Sequence, residues 1–249
     1  KNNQRLLFDN LHVNARHQLD THRISLSSDY LDVKLTGRYR STTLYQSLKN
    51  LTLSYLPVFI GNPKDTATVP FENDFNLAID LKHTDAITDM FLPSLDLADS
   101  SRIQLEYEGG ATKSFHLKAQ SPSLRLRSWD FKNLRIDSRS QDTTFAFNVN
   151  FNKVSTQGET ATEYFHGFRL QSLTGENQSK LMVQWDQPDG ASLKGELISL
   201  INLNRNTQTG NLKTQIFILP GQVNLNDEKW HVAQSSVVID SSSLDFNNL

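Results

Sequence analysis

The chain contains seven histidines, the side chains best suited to metal ligation or proton transfer near neutral pH. His12, His17 and His22 recur every five residues, which places His12 and His17 on opposite faces of a strand. The sequence has no His-x-His or HExxH pattern. It also lacks cysteine, which excludes disulfides, thiolate nucleophiles and cysteine-based zinc sites. We therefore predict no metal site.

Other catalytic motifs are also absent from the sequence. It contains no GxSxG elbow, Walker loop or GxGxxG fingerprint, and Gly109-Gly110 is typical of a hairpin turn. A glycosidase needs two carboxylates facing each other across a cleft about 5–10 Å wide. Here single carboxylates alternate with apolar residues, as expected for the wet side of strands: Asp32, Asp80, Glu106, Glu108 and Asp137. We predict no catalytic or cofactor-binding residues, with a glycoside-active enzyme as a rival.

Large aromatic residues offer a further possible chemistry, the stacking of a sugar or a base. Phe145, Phe147 and Phe151 share one face of a predicted strand, which favours packing into a core over a stacking platform. The same reasoning predicts burial of Trp129, Trp185 and Trp230, which lie within or beside alternating runs.

Composition narrows the class of partner. The 249 residues carry a formal net charge of −2 with both signs interspersed, so no basic stripe is present for nucleic acid or an anionic membrane surface. No stretch of about 18 apolar residues occurs, which argues against a membrane-spanning helix. Hydrophobic residues make up only 37% of the chain, which suggests sheets with one wet face.

Period-two alternation predicts the elements that position these residues. It recurs along almost the whole chain and gives about fifteen short strands, separated by turns rich in Gly, Asn, Asp, Ser and Pro. Helical spacing replaces it near 42–56 and 85–92, each segment ending before a proline. Residues 61–70 have the composition of a loop. We predict one β-rich unit over residues 1–249, either an extended, solenoid-like sheet or a closed sandwich.

Three stretches, taken in order, resemble the TamB family of the AsmA-like superfamily in the form found in Bacteroidetes envelopes. The first, His22–Pro57, contains a strand of the form LxxxxxGxxxxxTL leading into a Leu-rich helix that ends in Leu-Pro. The second is Phe75–Leu97. The third, Gly221–Asn248, contains the pattern Val-x-Leu-x-Asp-x-x-Trp-x-Val. On this resemblance we expect the chain to be an internal fragment whose inner-membrane anchoring helix lies outside it.

The resemblance implies a long antiparallel sheet folded into an open groove, the β-taco, in a protein that bridges the two membranes across the periplasm. It implies phospholipid transport or outer-membrane protein assembly, with phospholipid acyl chains or unfolded outer-membrane protein strands as partners. It also implies an Omp85-type barrel partner that binds a region absent from this chain. The family supplies no catalytic residues.

Our leading hypothesis is a groove segment of this kind. The candidate groove-lining residues are alternating apolar side chains: Leu31, Val33, Leu35, Leu77, Ile79, Phe145, Phe147, Val149, Ile216 and Ile218. The main alternative is a closed β-sandwich that binds through its loops, as in an adhesion domain. Alternation by itself does not decide between an open and a closed apolar face.

Overall fold

A computed structural model describes most of the chain: residues 10–59, 72–85, 88, 94–110, 113–141, 143–156, 163–186, 193–206, 209–225, 228–241 and 243–248. These residues are mostly β, with one α-helix and a single large, open antiparallel sheet. The predicted mostly β fold class is confirmed. The helix α1 spans Ser41–Tyr55, and a 3₁₀ turn follows at Pro57–Phe59.

Seventeen strands are present in the described part of the chain. The first seven are β1 His12–Gln18, β2 Thr21–Ser27, β3 Leu31–Arg38, β4 Asp74–Leu81, β5 Leu95–Leu97, β6 Arg102–Glu108 and β7 Ser114–Leu126. The next five are β8 Trp129–Gln141, β9 Thr144–Thr156, β10 Glu163–Gly175, β11 Gln178–Asp186 and β12 Leu193–Arg205. The last five are β13 Leu212–Ile218, β14 Gly221–Leu225, β15 Glu228–Val232, β16 Ser235–Ile239 and β17 Leu244–Asn247.

The predicted strands match these elements with three differences. Strands β2 and β5 were not predicted, because β2 has only Ile24 and Leu26 as large aliphatic residues and β5 is three residues long. Alternation around residues 115–119 and again around 124–126 predicts two short strands, but the structure has one continuous strand there, β7.

The predicted turns are confirmed where they are described. Gly109-Gly110 follows β6, which pairs with β7 as a hairpin. Glu176 and Asn177 join β10 to β11 with φ of 51° and 64°, the positive values that a type I′ turn requires at both central positions. The segments Pro188-Asp189-Gly190 and Asn226-Asp227, whose composition also predicts turns, lie outside the described residues.

Helix α1 forms close to its predicted bounds and ends before Pro57. At its start the Thr43 hydroxyl donates to the Arg40 carbonyl, and Asn73 Oδ1 accepts from the Arg40 amide at 2.9 Å. Since Asn73 is fully buried, its hydrogen bonds satisfy polar atoms that water cannot reach. In the second predicted helix, Asp85 and Thr88 are helical, whereas residues 86–87 and 89–93 lie outside the described residues.

The chain divides into two compact units. Unit 1 comprises residues 1–44, 70–138 and 150–164, and unit 2 comprises residues 45–69, 139–149 and 165–249. Strands β1 to β7 belong to unit 1, and β11 to β17 belong to unit 2. Each unit is described separately below.

Candidate functional site

In unit 1, backbone pairing aligns apolar side chains into rows that cross five neighbouring strands, β2, β3, β4, β6 and β7. Val33 lies opposite Leu26 on one side and Ile79 on the other, and Leu35 lies between Ile24 and Leu77. We name the rows after their β3 members. The Val33 row is Leu26, Val33, Ile79, Ile103 and Ala119, and the Leu35 row is Ile24, Leu35, Leu77, Leu105 and Leu117. Together the two rows form the unit 1 face.

The unit 1 face is neither a dry core nor a fully wet surface. Nine of the ten row residues are partly exposed, and the tenth, Ile24, is 38% exposed. A closed core would bury most of these side chains, because large aliphatic residues on a shared pleat face normally pack against a second layer. The face therefore retains apolar area that a ligand could cover.

A buried aromatic row closes one end of the unit 1 face. Phe75 and Tyr107 lie opposite each other with ring centroids 5.4 Å apart, and Tyr39 meets Phe75 edge-on. All three are buried, down to 3% exposed at Tyr107. Burial also raises the pKa of the Tyr39 hydroxyl, because the phenolate is poorly solvated there. The chain thus packs this end tightly and leaves the aliphatic rows half covered.

The opposite face of unit 1 is polar and carries ion pairs. Arg38 pairs with Asp74 at 2.9 Å, and Asp80 pairs with Arg102, each directly across two strands. Asp32 accepts hydrogen bonds from Lys82 at 2.7 Å and from Ser27 at 2.6 Å, which hold its pKa below the ordinary value. The carboxylates that the sequence predicts for the solvent-exposed side of strands, such as Asp32 and Asp80, lie on this polar face.

In unit 2 the corresponding apolar residues are interrupted by hydroxyls. One row crosses β10, β11, β12, β13 and β16 as Ser172, Leu181, Ser199, Ile218 and Ser235, which we call the serine row. The next row is richer in aliphatic residues and contains Ile201, Ile216 and Val237. Apart from the buried Ser235, the members of the serine row are partly exposed. We call these two rows the unit 2 face.

The end of α1 is anchored within unit 2. The Tyr55 ring lies 5.5 Å from that of Phe145, and the Tyr55 carbonyl accepts from the Asn177 amide. Asn177 Oδ1 in turn accepts from the Val58 amide at 2.6 Å, and Arg205 Nη2 donates to the Val58 carbonyl at 2.9 Å. The helix therefore docks on a sheet, since Tyr55 is buried and its ring lies beside that of Phe145 on β9.

The ten predicted groove residues divide evenly between the units. Those on β3 and β4 lie together on or beside the unit 1 face, with Leu31 opposite Leu81. In unit 2, Ile216 and Ile218 lie on β13, whereas Phe145, Phe147 and Val149 lie on β9, separated from it in the chain by β10, β11 and β12. All ten are partly exposed, so the burial expected for Phe145 and Phe147 is wrong.

Two of the three tryptophans are also more exposed than predicted. Trp185 is buried, as predicted, whereas Trp129 is 39% exposed and Trp230 is 54% exposed. Sequence reasoning also did not include several row members among the candidates, namely Ile24, Leu26, Ile103, Leu105, Leu117 and Ala119. Alternation in β6 and β7 was visible, but only the register shows that these residues adjoin Val33 and Leu35.

Within the described residues, no group of three or more His, Asp or Glu side chains is arranged to hold a metal ion. No helix in that part of the chain has the length and apolarity needed to cross a membrane. Comparison with known proteins gives no match to a family model, to a curated protein or to a solved structure.

Proposed function

We propose that the apolar faces of this chain bind the acyl chains of lipids, without catalysis. The observation that supports this is the partial exposure of the Val33 and Leu35 rows, which lie side by side across five strands. Single exposed apolar residues are common on protein surfaces, but contiguous exposed patches mark interaction sites. Each methylene that such a face covers contributes about 0.8 kcal/mol, so a long acyl chain is a suitable ligand.

We further propose that the chain is a segment of a periplasmic envelope protein similar to TamB, with a role in phospholipid transport or in outer-membrane protein assembly. The resemblance of His22–Pro57, Phe75–Leu97 and Gly221–Asn248 to that family supports this setting. A mostly β chain with an open antiparallel sheet is compatible with a groove of the β-taco type. Acyl chains match the half-exposed rows better than a catalytic substrate does.

The two rival functions have less support. A sandwich adhesion domain would cover its apolar residues with a second sheet, whereas this sheet is open and the rows are partly exposed. A glycosidase would need two available carboxylates, whereas Asp32 and Asp80 are engaged by Lys82 and Arg102 on the polar face.

A matched pair of variants in β4 tests acyl-chain binding. Leu77→Glu places a charge on the unit 1 face, and Ala78→Glu adds the same charge one residue later on the polar face. We expect Leu77→Glu to weaken binding of a fluorescent fatty acid by roughly tenfold or more, since a carboxylate among acyl methylenes is strongly disfavoured. Ala78→Glu should bind as the wild type does.

Native mass spectrometry of the purified chain provides an independent measurement. We expect phospholipid to co-purify with the wild type and the Ala78→Glu variant and to be depleted from Leu77→Glu. Circular dichroism and thermal melting establish that both variants are folded. If neither the fatty acid nor a phospholipid binds the folded wild-type chain, the proposal is wrong.

A further inference from the structure

On the polar face of unit 1, two pairs of opposite charges lie directly across neighbouring strands, beside like-charged pairs such as Asp32 with Asp80. In the register of β3, β4 and β6, Arg38 lies opposite Asp74 and Asp80 lies opposite Arg102, and each of these pairs forms a salt bridge. Opposite charges on directly opposed residues stabilise a sheet, whereas like charges in that position destabilise it. Strands β7 and β8, which come next, carry a different set of charges on this face.

Two cations lie close together where β7 meets β8. His116 on β7 lies 3.4 Å from Asp137 on β8, and the neighbouring strands are antiparallel. Lys118 on β7 and Arg135 on β8 lie near this pair, since both line the same hollow as Asp137. Neither cation forms a salt bridge with another residue that the structure describes.

A shallow hollow of about 310 Å³ is lined by these cations and by residues of the neighbouring strands. Its lining includes the amide side chains of Gln104, Gln120 and Asn150 in addition to Lys118 and Arg135. Amide groups supply uncharged N–H donors that can orient toward an oxyanion.

Two further charged residues line the hollow, and both have partners. Arg102 is paired with Asp80, and the Asp137 carboxylate is engaged by His116. The hydrogen bond from His116 leaves the negative charge of Asp137 in the hollow. Lys118 and Arg135 outweigh it, so the hollow carries a net positive charge.

We propose that this hollow binds a phosphate group, either as free inorganic phosphate or as the phosphate of a lipid head group. At neutral pH a phosphate monoester carries a charge of about −1.5 to −2, so it gains more than a single carboxylate does from two neighbouring cations. The planar guanidinium of Arg135 suits two oxygens of the same phosphate, and Lys118 adds a compact charge beside it. This site lies on the face opposite the proposed acyl-chain site and is independent of it.

The chain itself offers a matched control. Arg16 on β1 and Arg23 on β2 are two neighbouring cations that lie directly opposite each other on the polar face. Both are exposed, and neither is among the residues that line the hollow. The double variants Lys118→Gln/Arg135→Gln and Arg16→Gln/Arg23→Gln therefore remove the same charge from two like-charged pairs, only one of which adjoins the hollow.

The test titrates the whole chain with inorganic phosphate by calorimetry and measures its co-sedimentation with phosphatidylcholine vesicles with and without phosphatidic acid. We expect binding to fall roughly tenfold or more in Lys118→Gln/Arg135→Gln and to stay near the wild-type value in Arg16→Gln/Arg23→Gln, because only the first pair forms charge-assisted hydrogen bonds with the ligand. Thermal melting without ligand should be unchanged or slightly raised in both variants.

Each outcome decides the proposal. Loss of phosphate binding confined to the Lys118/Arg135 variant supports the site, and loss confined to the phosphatidic acid vesicles supports it with a lipid head group as the source. No binding of either probe by the wild type, or equal losses in both variants, would overturn it. Fatty-acid binding should be the same in both variants, so the acyl-chain proposal stands or falls separately.

Discussion

Neighbouring strands build the apolar faces of the two units in different ways. In unit 1 the Val33 row is aliphatic on every strand that it crosses, including β2 and β7. In unit 2 the serine row alternates a hydroxyl with an aliphatic residue from strand to strand, as in Ser172, Leu181 and Ser199. Both rows follow the same period-two rule within each strand, but they give surfaces of different polarity.

The difference predicts unequal ligand binding by the two faces. A hydroxyl that faces an acyl chain loses water without gaining a hydrogen bond, which costs about 1–3 kcal/mol in protein mutational data. In unit 2, Ser172, Thr174 and Ser179 reduce this cost by hydrogen bonding to one another. We infer that the continuous rows of unit 1 provide the stronger acyl-chain contact.

The largest effect is expected from a glycine substitution in unit 1. Gly37 has φ of 150°, and an added Cβ would lie 2.1 Å from the Asp74 carbonyl oxygen, an atom that cannot move without shifting β4. We expect Gly37→Ala to lower the free energy of unfolding by about 3 kcal/mol or more, measured by urea denaturation.

The glycine of unit 2 provides the comparison. A Cβ at Gly195 would lie 2.3 Å from the ring of Trp185, which lies opposite it on β11, so the clash is with a side chain and not with backbone. We expect Gly195→Ala to cost about 1–2 kcal/mol, less than the backbone clash in unit 1. Equal costs at the two positions would show that strand β4 yields as readily as a side chain does.

Exchanging one residue in each row should change the ligand binding of the two faces in opposite directions. Ile79→Ser gives the Val33 row a hydroxyl like those of unit 2, and we expect fatty-acid affinity to fall roughly tenfold, which corresponds to about 1–2 kcal/mol of lost apolar contact. Ser199→Ile removes a hydroxyl from the serine row, and we expect affinity to rise by a few fold. Fluorescence titration with a fatty acid measures both.

Neither of these two substitutions, Ile79→Ser and Ser199→Ile, is expected to unfold the protein. Both positions are partly exposed, so neither variant creates a large cavity or a steric clash. If Ile79→Ser leaves the affinity unchanged while Ser199→Ile raises it, unit 2 carries the acyl-chain site, and the assignment of the stronger contact to unit 1 is wrong.

The smallest effect is expected from the charges of the polar face. The hydrogen bond from Lys82 lowers the pKa of Asp32, so this carboxylate stabilises the fold above its unfolded pKa and loses that contribution as pH falls through its lower folded pKa. Because both side chains are more than a third exposed, we expect Asp32→Asn to cost under about 1 kcal/mol at neutral pH.

Denaturation with urea at neutral and acidic pH checks the sign of this effect. The difference between the wild type and Asp32→Asn should shrink below the ordinary carboxyl range, where both proteins lack the charge. In unit 2, Asp186 and Lys194 form a wider, more exposed pair at 3.5 Å, and Asp186→Asn should have a smaller effect. A larger loss at acidic than at neutral pH would contradict the assigned role of Asp32.

The sequence was sufficient to predict most of the elements. Alternation identified the strands that carry Val33, Leu77 and Phe147, and the spacing of Leu44, Leu48, Leu51 and Tyr55 identified α1 within a residue or two. Prediction failed at β2, where few large aliphatic residues occur, and at Trp129 and Trp230, which lie on strands but remain exposed. The alternation of residues along one strand does not reveal how much of that strand's apolar face is covered by other parts of the protein.

Which residues of each strand share a face follows from the sequence alone, because side chains alternate along an extended backbone. The tertiary structure decided which residues of different strands become neighbours. Register places Ile79 beside Val33 in a continuous row and places Ser199 beside Leu181 in an interrupted one. It also brings Lys118 toward Arg135, a juxtaposition that pairing between strands creates and that neither strand encodes alone.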